Sequence, residues 1–373
     1  MKNTIGNVLK LTVFGESHGE AIGCVLDGLP SGMVINEDYI VSVMQKRQGL
    51  SAVSTGRREA DHVSILSGVY HGKTEGTPLA LLIRNSDVRS ADYSSIEDLV
   101  RPGHADYTAE IRYEGYQDKR GGGHFSGRLT AALTAAGAIL MHALEEEGIL
   151  IGTHIQRLHG ITDRSFGEDL ACDMELLKER EFPVLDDEQA ERMIAEIKDA
   201  KEKGDSVGGI LETAVTGLPA GLGEPMFGSV ESRISEALFS IGAVKGVTFG
   251  IGTAFADLYG SEANDPFAYR DGKIITLSNH NGGVNGGITN GMPVCFQTVI
   301  KPTPSISLPQ KTVNLKTKEN TVMEIRGRHD PAVIHRAAVV VNAMTAFVLA
   351  DLLSEAYGRS WLRVLRERDN DDR

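Results

Sequence analysis

The sequence has 373 residues, 41% of them hydrophobic and 24% charged, with a formal net charge of −13 at pH 7. That length holds one large domain or two ordinary ones around a substantial core. The acidity argues against nucleic acid or an anionic membrane as partner, so an anionic ligand has to be held by local arginines. Cys24, Cys172 and Cys295 form no Cys-x-x-Cys and no disulfide framework, which points to a reducing cytoplasm. Gly6 and Lys10 break the opening residues where a signal peptide needs an apolar run. No stretch is expected to reach the ~20 apolar residues of a membrane span.

Val8 to Phe14 alternates apolar and polar residues and reads as a strand, ending at the turn Gly15-Glu16-Ser17-His18-Gly19. A second strand, Ile22 to Leu26, runs into Gly28-Leu-Pro-Ser-Gly32. Asn36 is placed to cap a helix from Glu37 to about Arg47, with acids in its first turn and bases in its last. Gln48 to Asp61, with Arg57 and Arg58, reads as a long exposed loop, of the length that is often functional. Strands follow at Val63–Val69 and Leu79–Ile83. After a polar stretch from Asn85 to Asp98 comes Arg101-Pro102-Gly103-His104-Ala-Asp106, whose Pro-Gly pair puts a histidine and an arginine on a turn.

Asp118-Lys-Arg120-Gly-Gly-Gly123-His124-Phe125-Ser126-Gly-Arg128 then leads into the strongest helix of the chain, Leu129 to Glu147. Three glycines let the backbone curl so that N–H groups converge on an anion, and the helix start adds its own. A solvated turn with Ser126 as a plain N-cap is the competing reading. Beyond Gly148, strands are expected at Ile149–Ile155 and Ile210–Thr216, with a surface excursion at Asp163–Asp187 and a helix at Asp187–Gly204. The second of these strands ends in Gly217-Leu-Pro-Ala-Gly221, an echo of Gly28–Gly32 that hints at an internal duplication.

Ser229–Ser240 reads as helical and is closed by Gly242-Ala243-Val-Lys245-Gly246. Ser278 to Gly291, which contains Gly286, reads as a backbone-lined binding loop or a plain surface loop. A strand from Val294 to Ile300 leads to the stiff segment Lys301-Pro302-Thr303-Pro304-Ser305. In Arg326-Gly-Arg328-His329-Asp330-Pro331, Asp330 is placed as N-cap and Pro331 as N1 of a last helix running to Tyr357. Residues 359–373 read as a charged, disordered tail.

Histidines on glycine-bounded turns suit acid–base work near neutral pH, and arginines suit phosphate and carboxylate. A metal site from His104, Asp106 and Glu110 lacks supporting spacing. A Ser-His-Asp hydrolase is weakly supported: Gly15-Glu16-Ser17-His18-Gly19 places the histidine next to the serine, where it cannot easily serve as its base. The residues by themselves therefore reach an enzyme acting on a small polyanion with histidine acid–base chemistry.

Four motifs in order, Gly15-Glu-Ser-His-Gly19, Arg101-Pro-Gly-His-Ala-Asp106, Arg120-Gly-Gly-Gly123 with Ser126-Gly-Arg128, and Arg328-His-Asp-Pro331, resemble chorismate synthases. The resemblance runs from about Thr4 to Tyr357. It implies an α+β fold, a β-α-β sandwich with helices between antiparallel sheets in a single large domain, assembled as a homotetramer. It also implies a lyase that eliminates phosphate from 5-enolpyruvylshikimate 3-phosphate to give chorismate, requiring reduced FMN, with the reductant supplied by an external flavin reductase or another source. Carried over by position, His18 would act on the departing phosphate, His104 on the protonation state of the flavin, and Asp330 with Ser17 and Ser126 on the proton at flavin N5. Arg47, Arg101, Arg128 and Arg328 would hold anionic groups. Flavin contacts would fall on His124, Phe125, Ser126, Gly242, Ala243, Gly286, Lys301, Pro302, Thr303, Pro304, Ser305 and Arg328.

The sequence departs from the common family pattern at several points. Lys46-Arg47-Gln48-Gly49 followed by Ala52 stands where Arg-Arg-Pro-Gly and a further arginine are usual. His124 replaces an arginine, Gly242 an asparagine and Asn342 a glutamate. A flavin-independent phosphatase or lyase, and a non-catalytic FMN-binding relative, are the alternatives to a working chorismate synthase.

Overall fold

The computed structural model describes residues 2–49, 53, 61–85, 98–270, 272–325 and 330–371. Its first half runs through β1 (Thr4–Ile5), β2 (Lys10–Gly15), β3 (Ala21–Asp27), α1 (Glu37–Gln48), β4 (Val63–Ser67), the hairpin β5 (Val69–Tyr70) and β6 (Lys73–Thr74), β7 (Leu79–Arg84), the short α2 (Asp106–Arg112) and α3 (Thr130–Glu146). The second half opens with β8 (Leu150–Leu158), β9 (Ile161–Thr162), α4 (Leu170–Glu179), α5 (Asp187–Glu202), β10 (Gly209–Thr216), α6 (Val230–Phe239) and β11 (Val244–Phe249). It continues with α7 (Gly260–Ala263), β12 (Phe267–Arg270), β13 (Lys273–Thr276), the hairpin β14 (Val284–Asn285) and β15 (Ile288–Thr289), and β16 (Val294–Ile300). A last hairpin, β17 (Gln310–Val313) and β18 (Asn320–Met323), precedes α8 (Ile334–Tyr357) and α9 (Trp361–Asp371).

Two antiparallel five-stranded sheets, ordered β1-β2-β3-β7-β4 and β11-β16-β10-β8-β9, enclose the helices α3 and α8. The two helices cross where Gly137 meets Ala343. A Cβ on Gly137 would lie 2.3 Å from that of Ala343, so glycine there is a condition of the close approach. By length and composition Gly127–Glu146 and Ile334–Glu367 could each cross a membrane, contrary to the sequence expectation. Their apolar windows are 72% and 94% buried within the fold, which accounts for the apolarity as core packing.

The repeated Gly-Leu-Pro-x-Gly turn does mark a structural duplication. The series β2-β3-α1-β4-hairpin-β7-α3 recurs as β8-β10-α6-β11-hairpin-β16-α8, and the two sheets share one strand order under that correspondence. In the first half the Thr74 hydroxyl donates to the Pro30 carbonyl at 2.5 Å and accepts from Met33 N–H at 3.0 Å. In the second, Thr289 donates to Pro219 at 2.8 Å and accepts from Leu222 N–H at 2.9 Å. The second half differs by carrying α4 and α5 between its first strands and β10, and α7 with β12 and β13 between β11 and the matching β14–β15 hairpin.

Three segments differ from the sequence expectation. Asp163–Asp187 contains α4, capped by Asp169 and anchored by buried Met174 and Leu177. The last helix begins at Ile334 and not at Pro331, because the Pro331 carbonyl accepts from Val207 N–H at 2.8 Å and the Asp330 side chain pairs with Arg336 instead of capping. The charged tail is helical as α9: Trp361 is wholly buried and Arg366 pairs with Glu147 at 2.6 Å.

The inserted helices are tied to the sheet by buried His154, which lies between Asp163 at 3.0 Å and Glu212 at 2.8 Å. Asp163 also accepts from the N–H groups of Leu185 and Asp186. Burial alone would neutralise the imidazole, but the two carboxylates outweigh it and raise its pKa above the ordinary 6.5. Burial likewise opposes the Asp163 charge, and His154 with the two N–H groups lowers its pKa from 3.8. The raised His154 pKa stabilises fully below the unfolded value and loses its effect as pH rises through the folded one. The depressed Asp163 pKa stabilises above its unfolded value and fails as pH falls through the folded one. His154→Gln is therefore expected to cost about 3 kcal/mol near pH 5.5 and progressively less in alkali. Urea midpoints of both proteins across pH check this; a difference that stays constant into alkali would overturn it.

Candidate active site

The turn after β2 and the loop before α3 pack against each other. Ser17 N–H donates to the Gly123 carbonyl at 3.2 Å, and its hydroxyl lies 3.3 Å from the carbonyls of Arg120 and Gly121 and 3.1 Å from His18 Nδ1. His124 Nδ1 is 3.0 Å from the Gly15 carbonyl, which can only accept, so that nitrogen carries a hydrogen. Gly121, Gly122 and Gly123 have φ of 59°, 87° and 52°, the left-handed region that other residues avoid. Space is as restrictive as torsion. A Cβ on Gly121 would lie 1.9 Å from His18 Cε1, and one on Gly122 3.1 Å from His104 Cε1. The glycine loop is thus a floor on which two imidazoles rest, and His18 is buried there.

His104 is positioned by its own loop. Arg101 grips the Asp106 carboxylate through Nε at 2.8 Å, a terminal nitrogen at 2.6 Å and its backbone N–H at 2.9 Å. His104 Nδ1 lies 2.9 Å from the same carboxylate. Burial disfavours the Asp106 charge, but the hydrogen bonds from Arg101 and His104 outweigh it and hold the carboxyl well below the usual range. An ionised Asp106 accepts from Nδ1–H, so in the neutral ring Nε2 is the basic nitrogen. It lies 3.4 Å from where a Gly122 Cβ would be, on the side of the glycine floor.

Lys301 reaches the same loop, its ammonium bonded to the Gly103 carbonyl and its backbone N–H to Ala243 at 2.9 Å. Burial and the neighbouring Lys245 lower its pKa, the condition in which an incoming anion is most welcome. Two residues on, the Thr303 hydroxyl is buried with no hydrogen-bond partner among the described residues. Ala243 holds φ of 75°, a strained value for alanine. A glycine cradle, a pair of mutually repelling lysines and an orphaned hydroxyl fit a bound phosphate-bearing cofactor.

Arg47 and Arg128 do not stand open to anions, as the sequence reading expects. Asp61 bridges them, 2.7 Å from Arg47 and in direct contact with Arg128, all three side chains being nearly inaccessible. Arg47 further donates to Thr130 at 3.0 Å and to the Gly127 carbonyl at 3.2 Å, so it is part of the scaffold of the loop. Arg128 N–H is capped by Ser126 Oγ at 3.2 Å, and Arg128 Nε reaches Asn85 at 3.0 Å. Asn85 in turn donates to the carbonyls of Glu16 and Gly19 at 3.0 and 2.9 Å, which locks the His18 turn to Arg128. Asp330 joins through Arg336, whose Nε donates to the Arg47 carbonyl at 2.9 Å. Asp61, Asn85 and Arg336 were missed in the sequence because each lies in an unremarkable polar or helical stretch.

Other expected positions flank this cluster or lie apart from it. Arg120 is exposed and pairs with Asp118 at 2.8 Å. Phe125 is exposed and stacks edge-on with Tyr113. Gly242 is exposed before the strained Ala243, and Pro302, Pro304 and Ser305 flank Thr303, with Pro304 Cβ 3.3 Å from where a Gly103 Cβ would be. Gly286, at the tip of the β14–β15 hairpin, lines a separate surface cleft with Ser229 and Phe249. Arg328 lies outside the described residues, as do Arg57, Arg58 and most of the stretch expected to be a long loop. Glu110 pairs with Lys119 at 2.9 Å, and among the described residues no three His, Cys, Asp or Glu side chains converge as metal ligands.

Histidines seated on one glycine floor amid arginines and lysines belong to an enzyme that moves protons on a small anionic substrate. Residues 9–354 match the family described as chorismate synthase. The chain is 46% identical to the chorismate synthase of Pyrococcus abyssi, over 95% of its own length and 98% of that protein's. It is 44% identical to that of Thermococcus kodakarensis, over 97% and 99%. It is also similar to a solved crystal structure of chorismate synthase, with a TM-score of 0.77 and 31% identity across 98% of each chain. The chain belongs to the chorismate synthase family. Its reaction is that family's carbon–oxygen lysis, the final step of the shikimate pathway, and the family needs reduced flavin.

Proposed function

We propose that His18 and His104 are the acid–base pair of the phosphate elimination that gives chorismate, seated on the neighbouring glycines Gly121 and Gly122. The observation that supports this most strongly is that both rings press on adjacent glycines of one loop. His18, oriented by the Ser17 hydroxyl, protonates or stabilises the departing phosphate of 5-enolpyruvylshikimate 3-phosphate. His104, held by Asp106, keeps its hydrogen on Nδ1 and offers Nε2 to the bound ligands. Asp330, fixed by Arg336, and Ser126 position the loop and relay a proton. Arg101 and Lys301 attract anionic groups. Arg47 and Arg128 do so only after exchanging Asp61 for a ligand, and Arg328 completes the set.

Reduced FMN is the flavin, with His124, Phe125, Ser126, Ala243 and Lys301 to Ser305 as its holders and Gly242 and Gly286 as outer contacts. When bound, it supplies electron density as phosphate departs and recovers it when the ring hydrogen is lost. The enzyme is monofunctional and cytoplasmic, works as a homotetramer, and receives reduced flavin from an external reductase.

The test is anaerobic turnover of 5-enolpyruvylshikimate 3-phosphate with chemically reduced FMN, following chorismate and phosphate. Chorismate formed only with reduced flavin is the expected result. Phosphate without chorismate would mean a hydrolase, and bound flavin without product a silent relative. Turnover from oxidised FMN and NADPH by the chain alone would refute the external reductant.

A further inference from the structure

Asn85 stands one residue beyond β7, where Arg84 pairs with Ala21 of β3. Its own N–H extends that ladder by donating to the Glu20 carbonyl at 3.1 Å, which fixes its backbone. The half-buried carboxamide faces the turn from Glu16 to Gly19, closed by a 3.1 Å hydrogen bond from Gly19 N–H to the Glu16 carbonyl. Asn85 Nδ2 donates to the Glu16 and Gly19 carbonyls at 3.0 and 2.9 Å, so both of its hydrogens go to the two ends of the turn that carries Ser17 and His18. Asn85 Oδ1 accepts from Arg128 Nε at 3.0 Å. Chemistry forces this orientation of the amide, because backbone carbonyls only accept and a guanidinium only donates.

The place calls for a short side chain with two hydrogens to give and one oxygen to offer. An aspartate would set carboxylate oxygens against two carbonyls, and a serine has one hydrogen for the pair. Arg128 is also held by Asp61, in direct contact, and by the Arg84 carbonyl at 3.4 Å. Those groups hold the arginine; the Asn85 carboxamide relates it to the histidine turn. Charge matters as much as shape. Arg47 and Arg128 share the single carboxylate of Asp61, which leaves one positive charge in surplus. Asn85 fixes Arg128 without spending that surplus.

We infer that Asn85 is a positioning residue of the elimination. Its carboxamide sets the distance between the His18 turn and Arg128, and its neutrality keeps the surplus charge of the arginines for the anionic substrate. The inference rests on the reading of His18 as the acid and of Arg128 as an anion holder.

Two measurements test it: anaerobic kinetics with reduced FMN, and calorimetric titration of the enzyme loaded with oxidised FMN with 5-enolpyruvylshikimate 3-phosphate. Asn85→Ala should lose about 10²-fold in kcat, the cost of a misplacement of about 1 Å. Its Kd should stay within about threefold of wild type, because Asp61 and the Arg84 carbonyl still hold Arg128. Asn85→Asp should lose kcat likewise and also bind about tenfold more weakly, because a second carboxylate cancels the surplus charge. In a His18→Ala background, Asn85→Ala should cost less than about threefold more, since it acts through that histidine. Thermal midpoints show which variants are folded, and Asn85→Asp, which keeps the shape, serves for the kcat comparison if the alanine variant unfolds. Wild-type kcat in a folded Asn85→Ala enzyme would overturn the inference. So would the full loss on top of His18→Ala, or equal binding by the aspartate and alanine variants. Wild-type kcat in His18→Ala alone would defeat the acid assignment and the His18 half of this inference with it, whereas the binding difference tests the Arg128 half by itself.

Discussion

Gly121→Ala is expected to remove as much catalysis as His18→Ala, about 10²–10⁴-fold in kcat, the range of a lost general acid. The alanine Cβ would lie 1.9 Å from His18 Cε1, 2.1 Å from Nδ1 and 2.9 Å from Ser17 Oγ. The imidazole has to retreat by more than an ångström, and a displacement of about 1 Å at a reacting group can cost 10²-fold. Backbone torsion adds to this, since φ of 59° costs alanine roughly 1 kcal/mol. Gly127→Ala, in the same loop, meets nothing within 4 Å and has no left-handed torsion, so it should keep kcat within about threefold. Measuring kcat beside thermal midpoints for the three variants separates displacement from unfolding. A folded Gly121→Ala enzyme with wild-type kcat would take His18 out of the reaction.

That contrast also shows what the sequence could and could not carry. The glycine run, the two histidine turns and the strands around them are local patterns, and each was legible from period, turn chemistry and helix signals. So was the hint of duplication, because a turn that needs glycine at both ends writes itself twice in the chain. The Asp61 bridge was not legible. Nothing local in Ala60-Asp61-His62 tells that its carboxylate will meet Arg47 from α1 and Arg128 from the loop before α3. Asn85 likewise gains its meaning only when β7 delivers it beside Glu16 and Gly19. Asp330 misled in the opposite direction: its local signature as an N-cap was strong, but the Val207–Pro331 hydrogen bond and Arg336 claimed it for tertiary structure. Local rules found the elements, and long-range ion pairs decided which charges remained for a ligand.

The strongest such pair predicts the largest loss of stability. Asp351 is wholly buried in the apolar α8, where an acid has no local reason to be. Its Oδ1 accepts from Val8 and Leu9 N–H at 2.9 and 2.8 Å, and its Oδ2 from Asn7 N–H at 2.7 Å. Arg233 on α6 pairs with the same carboxylate and with Glu355 at 2.8 Å. One side chain thus closes the N-terminal turn, α6 and α8 onto each other. Asp351→Ala would leave three N–H groups and a largely buried guanidinium with lost partners, a cost of about 3–5 kcal/mol. Asp351→Asn keeps the shape and some acceptor capacity but loses the charge, so it should fall between alanine and wild type. Because the anchored turn feeds β2, which ends at Gly15 before Ser17 and His18, the asparagine variant should also lose kcat at temperatures where it is still folded. Denaturant midpoints and kcat of both variants decide this. An Asp351→Ala protein within 1 kcal/mol of wild type would mean that the N-terminal segment is held by Gly6, Phe347 and its strand pairing instead, and the carboxylate would then be a burial cost that the fold merely tolerates.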